Sequence, residues 1–255
     1  MLITLFAVSH RNHASVSEIK NYLPSYAGLL VEREVENLHK ILKPNKPLVV
    51  VIGGSKISTK LPLLEKLTKI ADYVLLGGGL ANTFLAMLEH EIGRSISERE
   101  NIDLLNKLYH FYRKTGNKKI ILPVDLATTK NKNGSGKTVI KNIANISSQD
   151  YIYDIGPRTI SFYSKFIKKA NTIIWNGPLG FYEKKAFKHG TIAIGRHIAN
   201  RASGKAFAVV GGGETNDALE KTGMMHDVDW VSTGGGAMLS YLGGEKMPGL
   251  KGLVE

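Results

Sequence analysis

Apolar positions in this chain fall into short unbroken runs that alternate with stretches of helical spacing. The run Leu48–Ile52 stops at Gly53 and Gly54, and Tyr73–Leu76 stops at Gly77, Gly78 and Gly79. Residues 172–175 stop at Asn176, Gly177 and Pro178, and residues 207–210 at Gly211, Gly212 and Gly213. Residues 228–231 lead into Ser232, Thr233, Gly234, Gly235 and Gly236, and a run at 119–122 ends at Pro123. Strands apolar at nearly every position are buried on both faces, as in a parallel sheet covered by helices. Between the runs, residues 27–42 place Ala27, Leu30, Val31, Val35, Leu38 and Ile41 on one helical face. Further helices are predicted to begin near Thr59, Leu80, Glu98, Thr159, Gly190, Glu214 and Ala237. This alternation predicts an α/β fold with a doubly wound, mainly parallel sheet and helices on both faces, in three layers. Residues 2–8 read as one more strand. Pro44 and Pro47 mark a break between the helix at 27–42 and the sheet.

Composition narrows the function. Hydrophobic residues make up 43% of the 255 and charged residues 22%, as in a folded soluble chain. No apolar run approaches the ~20 residues of a membrane span, so no membrane role is expected. The absence of cysteine excludes a disulfide scaffold, thiolate chemistry and Cys-based metal sites, and a reducing cytoplasm is the expected location. Lys and Arg number 34 against 22 Asp and Glu, a net charge of +12 that points to anionic partners. The basic residues are scattered and carry no aromatic-bearing recognition motif, so nucleic acid is not the expected anion.

The glycine loops are more discriminating. In open parallel sheets ligands sit beyond the carboxyl ends of the strands, where loops enter helices whose first N–H groups are free. One glycine triplet is an ordinary turn, but a set of them at successive strand ends suggests a long polyanionic ligand across the sheet edge. Two familiar phosphate motifs do not apply. Gly134-Ser135-Gly136-Lys137-Thr138 resembles the end of a Walker A loop, yet Asn131 stands where its first glycine belongs and no strand leads into it, so a surface hairpin is expected. No Gly-x-Gly-x-x-Gly with a downstream acidic ribose ligand opens the chain. Lys56 and Lys60, four apart just past a strand, would face the same way on an incipient helix and clamp a transferring phosphate. Two solvated surface lysines are the plainer alternative. His10-Arg11-Asn12-His13 likewise suits a phosphate or carboxylate, or is only an exposed polar turn.

From about His10 to Leu253 the chain resembles phosphoglycerate kinase. The resemblance rests on ordered motifs: His-Arg-x-His-Ala-Ser at 10–15, Tyr-Leu-Pro-Ser-x-Ala-Gly at 22–28 and Gly-Gly-Ser-Lys-Ile-Ser-Thr-Lys at 53–60. Gly-Gly-Gly-Leu-Ala-Asn-Thr-Phe at 77–84, Leu-Pro-Val-Asp at 122–125 and Asp-Ile-Gly-Pro at 154–157 follow. Trp-Asn-Gly-Pro-Leu-Gly-Phe-Tyr-Glu at 175–183, Gly-Gly-Gly-Glu-Thr at 211–215 and Ser-Thr-Gly-Gly-Gly-Ala at 232–237 complete the set.

The resemblance implies a glycolytic kinase that reversibly moves the acyl phosphate of 1,3-bisphosphoglycerate to Mg-ADP, giving 3-phosphoglycerate and Mg-ATP. It implies two α/β domains that close over the substrates, a monomer, and ATP or ADP with Mg2+ as the cofactor set. By it Lys60 stabilises the transferring phosphoryl group, with Lys56 beside it, and Glu183 holds the ribose hydroxyls. Gly77, Gly78 and Gly79 line the adenine side, and Asn176 and Pro178 lie against the nucleotide. Gly211, Gly212, Gly213, Glu214 and Thr215 wrap the phosphates and metal, and Gly53, Gly54, Gly234 and Gly235 complete the nucleotide loops. Arg11 acts in the triose-phosphate site, with His10 and His13 in the surrounding basic patch. Glu214 is the metal ligand, in place of the family's aspartate.

The resemblance also implies a division of the chain. Residues 1–23 would be a remnant of the substrate-binding amino-terminal domain, 24–45 the interdomain hinge helix, 46–245 the nucleotide-binding domain and 246–255 a carboxyl-terminal tail. The triose substrates would bind only with the amino-terminal domain that this sequence lacks. The expected product is a fragment or truncated chain that binds nucleotide with poor turnover or none.

Overall fold

The computed structural model describes residues 1–115 and 119–253. The last two positions of the tail assigned to 246–255 lie outside the described residues.

Two short strands, β1 (Leu2–Ile3) and β2 (Tyr26–Ala27), pair in parallel ahead of helix α1 (Leu29–Leu42). The first strand is shorter than its apolar run. Only Ile3 and Phe6 of that run are buried, and the chain turns through a 3₁₀ turn at Phe6–Val8 instead of continuing. The predicted face of α1 also needs correcting. The helix buries Val31, Glu34, Leu38 and Ile41, while Leu30 is exposed and Ala27 lies in β2.

The main sheet then begins. Strand β3 (Leu48–Ile52), helix α2 (Leu61–Ile70), strand β4 (Tyr73–Leu76), helices α3 (Gly78–Met87) and α4 (Ile102–Thr115), and strand β5 (Ile120–Ile121) follow in order. The chain next leaves the sheet for an antiparallel set of three strands, β6 (Asp125–Thr129), β7 (Val139–Asn142) and β8 (Tyr151–Ile155). The segment at 134–138 is the β6–β7 hairpin turn, with Gly134 and Gly136 at positive φ. Helix α5 (Pro157–Ile167), strand β9 (Thr172–Asn176), helix α6 (His189–Ala202), strand β10 (Phe207–Gly211), helix α7 (Gly213–Thr222), strand β11 (Trp230–Ser232) and helix α8 (Gly236–Gly243) complete the chain.

The six-stranded sheet has the order β11-β10-β9-β3-β4-β5, with every neighbouring pair parallel. The central runs are apolar throughout because both of their faces are buried. In β3, Val50 and Ile52 pack into the core under α1, α2, α3 and α8, and Val49 and Val51 into the opposite core under α5, α6 and α7. The fold is therefore the doubly wound, three-layer α/β arrangement. α1 belongs to the first of these cores through Val31, Leu38 and Ile41.

The strand order fixes where a ligand sits. From β3 the chain moves to β4 on one side, and later returns to β9 on the other. The carboxyl ends of β3 and β9 are thus the topological switch point, the crevice where open α/β sheets bind ligands.

Candidate nucleotide and phosphoryl-transfer site

At the switch point three loops are stitched together through the backbone. Gly53 N donates to the Asn176 carbonyl at 3.0 Å, Gly54 N to Pro178 at 2.8 Å, and Gly78 N to Leu179 at 3.0 Å. A Cβ on Gly53 would come within 2.0 Å of the Pro178 carbonyl oxygen, and one on Gly77 within 2.4 Å of the Leu179 side chain. These two glycines therefore serve loop-on-loop packing first. Register places Ile52, Leu76, Asn176, Gly211 and Ser232 at one level, so the loops after them form a continuous ledge. Its five strands span roughly 19 Å at the usual strand spacing, long enough for an elongated ligand.

Lys60 stands in the centre of the ledge. Its Nζ donates to the Gly53 carbonyl at 2.7 Å and lies 3.5 Å from that of Asn176. Burial brings its pKa down to about 8, and the charge of Glu214 opposes that fall. Lys56 does not share this environment. Helix α2 begins only at Leu61, so the four-residue spacing never falls on a helix; Ile57 turns into the core and leaves Lys56 exposed.

To one side of Lys60 lies a cleft of about 220 Å3. Gly54, Gly78, Gly79, Pro178 and Leu179 form one wall, Ile152, Tyr153 and Asp154 of β8 another, and Glu183 and Glu214 stand at its rim. The antiparallel sheet supplies the second wall because Asp125 of β6 anchors it to α5. The Asp125 carboxylate accepts from the Arg158 and Thr159 N–H groups at 3.1 and 2.7 Å.

Helices α7 and α8 also direct their first turns at the ledge, where N–H groups have no intrahelical partner. Gly212 takes φ 105° to turn from β10 into α7, and a Cβ on Gly213 would meet nothing within 4 Å. Glu214 is exposed beside it. Two polar residues assigned to the nucleotide spend their side chains on the protein itself. Asn176 Nδ2 donates to the Gly211 carbonyl at 2.7 Å, and Thr215 Oγ1 accepts from Gly177 N at 2.7 Å. At Gly234 the space for a Cβ is filled by the Phe6 ring, 2.7 Å away, whereas at Gly235 it is open.

His10 reaches the same edge, with its Nε2 3.4 Å from where a Cβ on Gly236 would stand. Arg11 Nε approaches His10 Nε2 at 3.5 Å, and Arg11 and His13 are exposed. The ledge thus runs from an apolar cleft with acidic rim residues, past a half-buried cation, to a basic corner. Such an order suits a nucleotide whose phosphates approach Lys60 while a second anion approaches from the His10 side.

Sequence reasoning missed three acidic residues. Asp154 lies inside the cleft wall and accepts from Gly190 N at 2.7 Å, and burial pushes its pKa up to about 8. Asp217 of α7 accepts from the Tyr182 hydroxyl at 2.8 Å. Glu34 of α1 is fully buried and accepts from Trp230 Nε1, Ser232 Oγ, and the N–H and hydroxyl of Thr233, at 2.8 to 3.0 Å. Asp154 stands in a motif already noted at 154–157; the other two sit in motifs of no recognisable kind.

Among the described residues no group of three or more His, Asp or Glu side chains could hold a metal ion by itself, and no helix is long and apolar enough to cross a membrane.

Comparison with known proteins identifies the family and supports the fold. The sequence profile of the phosphoglycerate kinase family matches residues 4–245. A phosphoglycerate kinase of Wolbachia pipientis subsp. Culex pipiens is 40% identical over 253 residues, and one of Coxiella burnetii 40% over 254. In each case 98% of this chain is covered, and the chain spans 63% of the relative's length. The solved phosphoglycerate kinase of Coxiella burnetii superposes with a TM-score of 0.91 at 39% identity, covering 99% of this chain and 64% of that one. That of Pyrococcus horikoshii OT3 gives 0.81 at 31% identity, covering 99% and 63%.

Proposed function

The chain belongs to the phosphoglycerate kinase family, and on that premise we propose that it binds Mg-ADP or Mg-ATP along the ledge and serves transfer of a phosphoryl group between nucleotide and 3-phosphoglycerate. The observation that carries this reading is the placement of Lys60. It is a half-buried cation held on two backbone carbonyls at the switch point, between the Glu183–Glu214 rim and the His10 corner. A fixed charge in a partly desolvated site is worth most where charge builds up in a transition state, and costs no reorganisation at the moment of transfer.

The other residues take their roles from position. The base would enter the apolar cleft beside Gly78, Gly79 and Pro178, with its ribose hydroxyls on Glu183. The phosphates would lie over the first turn of α7 at Gly213. Glu214, a single hard oxygen ligand, fits a magnesium ion that arrives with the nucleotide, since such an ion takes most of its ligands from phosphates and water. Arg11, with His10 and His13, would meet the triose phosphate. In this reading residues 46–245 are the nucleotide-binding unit, α1 is the joint to the substrate-binding part, and the reaction belongs to cytoplasmic glycolysis.

Titration with Mg-ADP tests it. Saturable binding that raises the melting temperature by mass action is expected, and a melting curve unmoved by millimolar nucleotide would overturn it. Random DNA should leave the curve unmoved.

A further inference from the structure

The arm at 177–184 carries Glu183 from the end of β9 to the rim of the cleft. Its near end is fixed in the core: Gly177 N donates to Thr215 Oγ1 at 2.7 Å, and Leu179 N to Thr191 Oγ1 at 3.0 Å. Its far end is held in part by Lys184 N, which donates to the Phe181 carbonyl at 2.9 Å, and by the Phe181 ring, 5.5 Å from that of Tyr153. Phe181 N donates to the Tyr153 carbonyl at 2.6 Å, Glu183 itself is exposed, and the side-chain tie nearest to it is made by Tyr182. The Tyr182 hydroxyl donates to Asp217 Oδ2 at 2.8 Å, and Lys221 Nζ donates to the same oxygen at 2.6 Å. The Lys221 ammonium also stands 5.5 Å from the Tyr182 ring centre.

Charges around this contact hold it in one protonation state. Burial, the bond to Asp217 and the nearby carboxylates of Asp217, Glu183 and Glu214 all raise the Tyr182 phenol, so it remains a donor. Lys221 first, then Tyr182, holds Asp217 below the usual carboxylate range, so it remains an acceptor. On α7 Asp217 follows Glu214 by three residues and shares its face. The contact therefore joins the residue before Glu183 to the helix whose first turn faces the phosphates.

We propose that Tyr182 and Asp217 are positioning residues that lock the Glu183 arm to α7, so that the ribose and phosphate walls of the nucleotide site move as one. This rests on the reading of Glu183 as the ribose ligand. The side chains of Asp217 and Lys221 are 41% and 62% exposed, so their pairing contributes little to global stability. Its effect is local: a carboxylate on an untethered arm loses part of its affinity to the disorder it must give up on binding.

The test compares Mg-ADP with Mg-2′,3′-dideoxy-ADP, which lacks the ribose hydroxyls, by calorimetry on the full chain and three variants. The parent should prefer ADP. Tyr182→Phe keeps the ring and removes the hydroxyl, and should shrink that preference by roughly 3- to 10-fold, the net worth of one ordinary, partly exposed hydrogen bond. Asp217→Ala should do the same, and the double variant should lose no more than either single, because both break one contact. Glu183→Ala separates the two ideas. If it removes the preference while Tyr182→Phe retains it, the lock is wrong and the ribose reading stands. If Glu183→Ala retains the preference, the ribose reading fails and takes the lock with it. Equal weakening of both nucleotides in Tyr182→Phe would mean general loosening, and would also overturn the lock.

Discussion

Lys60 donates to the carbonyl of Gly53 across 2.7 Å at the point where the strand order reverses, and burial lowers its pKa from 10.5 to about 8. The sign of the resulting pH dependence follows. Between about 8 and 10.5 the folded chain has lost this proton while the unfolded chain keeps it, so stability contributed here rises with pH across that window. Nucleotide phosphates favour the charged form and oppose the shift. Mg-ADP binding should therefore take up a proton near pH 8, and affinity should fall as pH climbs through the window. Calorimetry in buffers of different ionisation heat measures the uptake, which Lys60→Met should abolish. Affinity that stays level from neutral pH to the top of the window would contradict this assignment.

Glu34 should prove a large single contributor to stability. Its carboxylate is fully buried and accepts four hydrogen bonds from Trp230, Ser232 and Thr233, at the mouth of the loop leading to α8. Glu34→Gln keeps the shape but turns an amide N–H₂ toward groups that are themselves donors. Leaving such donors unpaired costs about 1–3 kcal/mol. The urea midpoint should drop accordingly with an unchanged slope, and Trp230 fluorescence should shift because its indole N–H loses its acceptor. An unchanged midpoint would mean water replaces the carboxylate at no cost.

These two residues also show what a one-dimensional reading can and cannot reach. Strand β3 was legible because burial on both faces demands an apolar residue at every position, and its glycine stop marks the loop that Lys60 anchors. Strand β7 was not, since three of its four residues are exposed and carry no hydrophobic period. Leu30 looked buried because helical spacing identifies a stripe but not its rotation, which Glu34 and its partners nearly two hundred residues away determine. Gly53 was read as an opening for a ligand, and it is filled by Pro178. Burial of a carboxylate, and contact of a glycine, depend on partners that only the fold brings near.

Gly213→Ala should separate folding from binding. Gly213 lies outside the positive-φ glycines, opens α7, and has no atom within 4 Å of a built Cβ. Alanine therefore meets no clash in the free chain and should raise stability by up to about 1 kcal/mol through a less flexible unfolded state. The same methyl would stand where phosphate oxygens approach the first-turn N–H groups. Nucleotide affinity should fall by about tenfold, or 1.4 kcal/mol, while the melting temperature of the free chain rises slightly. Unaltered affinity would show that the phosphates do not pass over this turn.

Turnover by this chain alone should be absent or far below that of a complete phosphoglycerate kinase such as the Coxiella relative. In-line phosphoryl transfer requires the acceptor oxygen to be held by several cations and water to be excluded while the charge moves. On the side proposed for the triose this chain offers His10, Arg11 and His13, of which Arg11 and His13 are exposed, and Lys56, Glu183 and Glu214 are exposed across the rest of the ledge. Leu2, Leu5, Tyr22 and Leu29 also face solvent near the same end of the chain, at 60%, 63%, 81% and 74% exposure. An apolar surface of this kind favours self-association, so the apparent mass in size-exclusion chromatography should grow with concentration. A coupled assay with 3-phosphoglycerate and Mg-ATP, run beside a nucleotide titration of the same sample, decides the matter: binding without product is expected, and product formed at a rate near the complete enzyme's would falsify it.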